Sequence, residues 1–314
     1  FTLLAVVFLG FFNFAMMLME DNFGLWFAKS VSSNIPYLNL LLLNTGQAVV
    51  AVFLSSEFLK RDKKLDTSEV FYVRPLSNAE YVVGKIWGNL RVFLFLNLLV
   101  LAIVLAFNFM ASGVAVDLPA YLVYFFLISI PTLIFIIGLS IFLMLLLKNQ
   151  ALTFILLLGY IGLTLFYIQD KFYYLFDYMV YNLPLFKSTI VGFSNLELIL
   201  NHRAIYFFAG LGFIFFTIFL FKRLPNARRS HYPWLFLSFC MFLLMGTAGF
   251  RHVRSILREG EMRALYTSIN NKYVYEPKMA IDYYDISVEQ KSETIRSVVG
   301  MEGTALAASE VFIF

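Results

Sequence analysis

Long apolar segments alternate with short polar ones along this chain, a pattern typical of a protein that crosses a membrane several times. A helix needs about twenty predominantly apolar residues to cross the hydrocarbon core of a bilayer. Seven segments reach or approach that length, and Pro131 predicts a kink in the long fourth one. The predicted spans are Phe1–Met19, Pro36–Leu54, Ile86–Met110, Leu118–Leu147, Ala151–Ile168, Ala204–Phe221 and Trp234–Phe250.

The pattern changes after the seventh span. Arg251–Asn270 is charged and favours a helix, whereas Asn271–Phe314 favours strands, with partial alternation in Met279–Val288. We therefore predict an all-α polytopic membrane protein of six core spans plus a seventh, followed by the start of a β-rich soluble domain. The sequence begins and ends within apolar runs, which indicates a fragment. The predicted units are a transmembrane domain, a cytoplasmic linker with the extra span, and an extracytoplasmic segment, at residues 1–221, 222–250 and 251–314.

The composition supports a membrane protein. Of the 314 residues, 61% are hydrophobic and 14% are charged, whereas soluble domains carry about 25% charged residues. The net charge is +4, but the basic residues lie in loops beside the spans rather than on one soluble face, which argues against nucleic-acid binding. Cys240 is the single cysteine, so no internal disulfide can form.

Loop charges predict the orientation, because short loops rich in Lys and Arg remain on the cytoplasmic side. With the amino terminus inside, loops 60–91, 148–150 and 222–233 carry twelve basic residues, and the opposite loops carry four. We therefore expect a cytoplasmic amino terminus and an extracytoplasmic tail. Arginines that closely follow the seventh span oppose this orientation, although long domains cross largely regardless of charge. If the seventh segment is not a span, the tail is cytoplasmic.

The sequence offers no catalytic or metal-binding motif. Its three histidines lie at separate span edges without the spacing of metal ligands. Gly84-Lys85 lacks both the upstream glycine and the following Ser or Thr of a phosphate-binding loop. We therefore expect no catalytic residue, cofactor or metal in this chain; if ATP drives it, a separate polypeptide binds the ATP and Mg²⁺. The spans contain almost no charge, which argues against a carrier driven by an ion gradient.

Uncharged polar residues do occur within the spans. In membranes, Asn and Gln join helices more often than they bind substrate. Asn44 and Gln47 in the second span are nonetheless our candidates for a substrate path. The polar set comprises Asn13, Asn44, Thr45, Gln47, Asn97, Asn108, Ser140 and Thr164.

Residues 169–200 are rich in aromatic side chains and too polar for a span. They fit either short helices that lie in the outer membrane interface or an ordinary loop that caps the bundle. The sequence leaves both interpretations open.

The loop between the second and third spans has its own pattern. Thr67–Val73 predicts a short amphipathic helix, and Ser77 with Glu80 three residues later predicts a capping box. A helix from there through Tyr81 and Lys85 would continue into the third span. Such a loop can receive force from a cytoplasmic motor, although a solvated basic loop that only sets topology explains the same charges.

Three short motifs carry a family resemblance: Thr67-x-Glu69, Pro75-Leu76-Ser77 and Gly84-Lys85. Together they resemble the loop between spans two and three of type-2 ABC exporter membrane subunits. The resemblance to this family covers residues 1–221. Leu65-Asp66 departs from the family, where Gly often precedes the Thr. The resemblance implies a permease of a bacterial inner membrane that dimerises, as homodimer or heterodimer, and contacts a separate nucleotide-binding ATPase subunit. The predicted contact residues are Phe58, Leu65, Glu69, Val70, Phe71, Arg74, Pro75 and Tyr81.

The tail carries a second, shorter resemblance. Pro277–Val288 resembles the opening strands of aminopeptidase-N-type metallopeptidase domains that are fused to some bacterial permeases, although no peptidase catalytic residue is present. The first hypothesis is therefore the permease subunit of an ATP-driven exporter. The alternative is a membrane anchor or regulatory module for a fused extracytoplasmic metallopeptidase. A gradient-driven carrier is opposed by the missing intramembrane carboxylate and inverted repeat.

Overall fold

The computed structural model is mostly helical and ends in a small sheet. It describes residues 2–3, 5–10, 33–56, 77–110, 116–168, 171–183, 185, 187, 192–193, 195–221, 232–274, 279–291 and 294–305. Within that part of the chain, six helices are long and apolar enough to cross a membrane, which indicates a multi-pass membrane protein. They are α1 (Asn34–Ser56), α2 (Asn78–Met110), α3 (Leu118–Leu147), α4 (Gln150–Ile168), α5 (Leu196–Leu220) and α6 (Tyr232–Tyr273).

These six helices cover the second to seventh predicted spans and extend several of them. The third begins at Asn78 rather than Ile86, and the sixth begins at Leu196 rather than Ala204. The seventh is the first part of α6. Of the first predicted span, only residues 2–3 and 5–10 are described, and they are helical; the rest of Phe1–Met19 lies outside the described residues, so its crossing stays a prediction.

Local side-chain caps explain where two of the helices begin. The Ser77 backbone N–H donates to Glu80 Oε2 at 2.6 Å, and the Glu80 backbone N–H donates to Ser77 Oγ at 3.1 Å. This reciprocal pair confirms the predicted capping box at the start of α2. At the start of α4, the Asn149 side chain accepts from the Leu152 backbone N–H at 3.3 Å.

The helices α3 and α5 touch through their backbones. A Cβ atom on Gly138 would lie 2.6 Å from the carbonyl oxygen of Gly210, and a Cβ on Gly210 would lie 2.7 Å from the carbonyl of Ile134. Only glycine permits this approach, which is common where membrane helices pack. On the other side of α5, Ser238 of α6 donates to the Gly212 carbonyl at 2.9 Å. The helix α5 is therefore packed tightly on α3 and bonded to α6 at Ser238.

The chain divides into two units, residues 1–255 and 256–314. The second unit contains an antiparallel hairpin of β1 (Met279–Lys291) and β2 (Thr294–Ala305), which confirms the predicted strand character of this region. The prediction is wrong at Asn271–Tyr273, because α6 continues to Tyr273. One face of the hairpin is apolar, since Tyr284 pairs with Met301 and Ile286 with Val299.

Candidate functional site

The middle of α3 departs from regular α-helical geometry. Residues Phe125–Ser129 form a π-helical turn, and Pro131 lies two residues after its end. Proline has no N–H, so the carbonyl of Leu127, four residues earlier, cannot receive its usual helical hydrogen bond. Local π turns of this kind often mark functional sites. We call residues Phe125–Thr132 the irregular segment; it lies where the sequence predicted a kink at Pro131.

On one side of the irregular segment, four uncharged side chains form a closed ring of hydrogen bonds. Asn44 Nδ2 donates to Ser129 Oγ at 3.3 Å, and Ser129 Oγ donates to Asn97 Oδ1 at 2.7 Å. Asn97 Nδ2 donates to Gln47 Oε1 at 2.8 Å, and Gln47 Nε2 donates to Asn44 Oδ1 at 2.6 Å. All four residues are completely buried. This polar ring joins α1, α2 and α3.

The polar ring is largely saturated. Asn44 and Asn97 each donate a second hydrogen bond to a carbonyl of their own helix, at 2.7 Å in both cases. The sequence proposed Asn44 and Gln47 as a substrate path; they are neighbours in a buried ring, and the substrate role stays a prediction. The sequence had named Asn97 as a span polar residue but missed Ser129. Its position two residues before Pro131, where helical bonding is interrupted, is the signal that could have found it.

On the other side, the guanidinium of Arg203 from α5 holds the irregular segment. Its Nε donates to the orphan Leu127 carbonyl at 2.6 Å, and its Nη2 donates to the Ile128 carbonyl at 3.3 Å. Nη2 also donates to Thr132 Oγ1 at 2.8 Å, and Nη1 donates to the Tyr178 carbonyl at 2.9 Å. Arg203 therefore supplies the donor that Pro131 removes. We call this cluster the arginine junction.

Arg203 corrects one sequence prediction. It is one of the four basic residues assigned to the outer loops, but it lies inside α5 and is only 2% exposed. The helix α5 therefore carries one buried charge. A charge in a membrane is costly unless it is fully bonded, and the four acceptors of the arginine junction meet that requirement. The sequence does indicate that Pro131 removes the α-helical donor of the Leu127 carbonyl. Nothing along the chain indicated that Arg203 would supply another.

A buried carboxylate lies beside the arginine junction. Asp177 accepts hydrogen bonds from the backbone N–H groups of Tyr181 and Asn182, at 2.9 Å each. Burial raises the pKa of the Asp177 carboxyl above its ordinary value, while those hydrogen bonds and the positive charge of Arg203 act in the opposite direction. Among the described residues, Asp177 and Arg203 are the only buried Asp, Glu, Lys or Arg side chains.

Asp177 lies in the loop that follows α4. A strained turn in that loop is held by histidines. Phe172, Tyr173 and Tyr174 have φ angles of 52°, 59° and 62°, a left-handed conformation that is unfavourable for such side chains. His252 Nε2 lies 2.9 Å from the Tyr173 carbonyl, and His202 Nε2 lies 3.0 Å from the Tyr174 carbonyl. Because a carbonyl only accepts, each of these two contacts is a hydrogen bond when the ring carries its proton on Nε2.

The sequence predicted that the histidines lie at separate span edges. The structure instead brings two of them together, since the ring centroids of His202 and His252 are 5.0 Å apart. No cluster of possible metal ligands occurs among the described residues. The described part of 171–183 contains only the three-residue turn Phe172–Tyr174. This favours the capping loop over interfacial helices.

The predicted ATPase contact falls mostly on residues that the structure does not describe. Phe58, Leu65, Glu69, Val70, Phe71, Arg74 and Pro75 all lie in 57–76, outside the described residues. Tyr81 is described, and its ring stacks on Phe221 at the end of α5, with centroids 5.3 Å apart and planes 6° apart. Asn78 Nδ2 also donates to the Phe221 carbonyl at 2.9 Å. The first turn of α2 is therefore attached to α5, and contact with an ATPase stays a prediction.

Three comparisons with known proteins complete the description of the site. No protein-family model, no curated protein and no solved structure matches this chain. The resemblance to an ABC permease and to a peptidase fusion therefore rests on the sequence motifs alone, and the function is argued from the residues and their geometry.

Proposed function

We propose that this chain is the membrane-spanning permease subunit of an ATP-driven ABC exporter. A separate ATPase subunit would bind ATP and Mg²⁺ and act on residues 57–85. The observation that carries the proposal is the attachment of α2 to α5 within the last part of that segment, through Asn78, Tyr81 and Phe221. A force applied to the loop would therefore act on two spans together rather than on a flexible connector.

The length and contacts of α2 and α5 support this coupling. The helix α2 runs for 33 residues without a break, about 50 Å, and brings Asn97 to the polar ring. The helix α5 brings Arg203 to the arginine junction, 18 positions before Phe221. A displacement at the loop would thus reach both sides of the irregular segment of α3. Four of the five N–H groups of Arg203 are bonded to protein acceptors, so it is not a free site for a transported ion.

The wider assignment follows from the sequence. The charge of the loops supports a cytoplasmic amino terminus and an extracytoplasmic tail. The resemblance supports a bacterial inner membrane and a second permease subunit, as homodimer or heterodimer. The lipid bilayer would be a further partner, since six described helices are long and apolar enough to cross it.

Co-purification tests the proposal. The intact chain is isolated from its native membrane with Phe71→Asp, with Arg74→Glu, and with Lys63→Glu as a matched charge change outside the predicted contact. We expect an ATPase to accompany the wild type and Lys63→Glu, and to be lost from the other two. Equal recovery of the ATPase with all variants would remove the interface assignment, and absence of any ATPase from the wild type would remove the exporter.

A membrane anchor for a metallopeptidase is the second candidate. It is favoured by the hairpin, whose apolar face carries the exposed residues Tyr284, Ile286 and Val299. An isolated two-stranded hairpin is marginally stable in water, so this face suits the edge of a larger β domain. Zinc content and aminopeptidase activity of the full-length protein, measured beside ATPase recovery, would separate this candidate from the exporter.

A further inference from the structure

The two halves of α3 are attached to different neighbours. The half after the irregular segment is fixed to α5 by the backbone contact of Gly138 with Gly210. The half before it is attached to the loop after α4, because the Tyr124 hydroxyl donates to the Leu185 carbonyl at 2.8 Å and Asp117 pairs with Lys187 at 2.6 Å. A movement of that loop relative to α5 would therefore have to be taken up by the irregular segment.

Arg203 is the group that connects these attachments. It extends from α5 and binds the carbonyls of Leu127 and Ile128 inside the irregular segment. It also binds the loop at the Tyr178 carbonyl, which accepts a further hydrogen bond from Thr132 Oγ1 at 3.1 Å. One side chain thus satisfies the irregular segment and the loop at the same time.

We propose that the irregular segment is a hinge in α3, that Arg203 locks it in the arrangement seen here, and that displacement of the loop at Tyr178 releases it. This inference does not rest on the proposed transport function. Pro131 removes the N–H that would bond the Leu127 carbonyl in a regular α-helix, and Nε of Arg203 bonds that carbonyl instead. The conformation of the hinge therefore follows the position of Arg203.

The loop is suited to be the releasing element. Its left-handed turn at Phe172–Tyr174 is strained, and it persists because His202, Tyr206 and His252 hold three successive carbonyls. Strained segments of this kind persist only where the surroundings hold them, and they often take part in switching. Loss of these contacts would free the Tyr178 carbonyl and remove one of the four acceptors of Arg203.

Distance measurements across the hinge test the proposal. Spin labels are placed at Leu122 and Leu146, which are 61% and 58% exposed on the two halves of α3, in a Cys240→Ser chain reconstituted in lipid nanodiscs. We expect one narrow distance distribution in this background. Arg203→Gln should raise a second distance population about ten-fold, because glutamine cannot reach all four acceptors. Arg251→Gln, an exposed arginine on α6, is the matched control and should leave the distribution unchanged.

The decisive variant restores the missing donor. Pro131→Ala provides an N–H for the Leu127 carbonyl, so the hinge should no longer need Arg203. The double variant Pro131→Ala/Arg203→Gln should therefore show the same distribution as Pro131→Ala alone. A second population that persists in the double variant, or an unchanged distribution in Arg203→Gln, would overturn the proposal.

Two further variants keep the test decisive. If Arg203→Gln alone does not fold, recovery of folded protein in the double variant supports the hinge, and failure to recover contradicts it. Thr132→Val removes one acceptor of Arg203 and one donor to Tyr178, so it should raise the second population by less than Arg203→Gln. An effect equal to or larger than that of Arg203→Gln would assign the lock to Thr132 instead.

Discussion

The polar ring and the arginine junction bind the same irregular segment from opposite sides, but they differ in kind. The polar ring is neutral, and its four side chains satisfy one another. The arginine junction is charged, and Arg203 depends on backbone carbonyls that other elements must present. The first therefore joins helices as a self-contained unit, whereas the second is sensitive to the position of its neighbours. The buried amides are suited to holding three helices in a fixed arrangement. The buried arginine is suited to controlling the conformation of the irregular segment.

Removing the arginine should have the largest effect on the free energy of unfolding. Arg203→Met leaves the carbonyls of Leu127, Ile128 and Tyr178 without this donor in a buried environment. We expect a loss of about 3–5 kcal/mol, measured by thermal unfolding of the solubilised protein. Arg251→Met changes an exposed arginine in the same way and should be nearly neutral. Equal effects of the two substitutions would mean that the arginine junction is not specially stabilising.

Separating α3 from α5 should have the next largest effect on the free energy of unfolding. Gly210→Ala places a Cβ 2.7 Å from the Ile134 backbone, which forces the helices apart. We expect a cost of about 1–3 kcal/mol in the same unfolding assay. Gly246→Ala is the control, because nothing lies within 4 Å of its added Cβ. If the losses in unfolding free energy from Gly210→Ala and Asn97→Leu do not add when the two substitutions are combined, the two sides of the irregular segment are coupled.

Opening the polar ring should lower the free energy of unfolding by less than the two changes above. Asn97→Leu removes one member and leaves Ser129 and Gln47 each without one partner, at about 1–2 kcal/mol. Double-mutant cycles between Asn97 and Gln47 measure the interaction directly in the unfolding assay. Ring partners should show non-additive losses, whereas Asn97 paired with the distant Ser238 should show additive ones. Additive losses within the ring would contradict its closed hydrogen bonding.

The pH dependence contributed by Asp177 should be the smallest effect. Its pKa is raised on folding, so its contribution is fully present below the unfolded pKa, about 3.9, and is lost as the pH rises through the folded pKa. As the pH falls from neutral through this window, wild type should gain stability relative to Asp177→Asn. Thermal unfolding of both proteins across the acidic range measures the difference. Parallel curves would show that the carboxyl does not titrate differently in the fold.

The sequence predicted the local features of this molecule and not the contacts between helices. Six spans follow from apolar length, and the cap of Ser77 with Glu80 follows from a spacing of three residues. His202 and His252 are 50 positions apart, so their contact depends on how α5 and α6 pack. The same holds for Arg203 and Leu127. Pro131 indicates that a donor is needed, but only tertiary structure decides which residue supplies it.

Because the polar ring is buried, hydrogen exchange of its amide groups can report how often the bundle opens. Both amide hydrogens of Asn97 are bonded, one to Gln47 and one to the Phe93 carbonyl, and water reaches them only when α1, α2 and α3 part. Their exchange with deuterium therefore records how often the three helices separate. Timing that exchange with the ATPase subunit and ATP present would reveal whether the bundle opens in response, without an attached probe and without knowledge of the substrate.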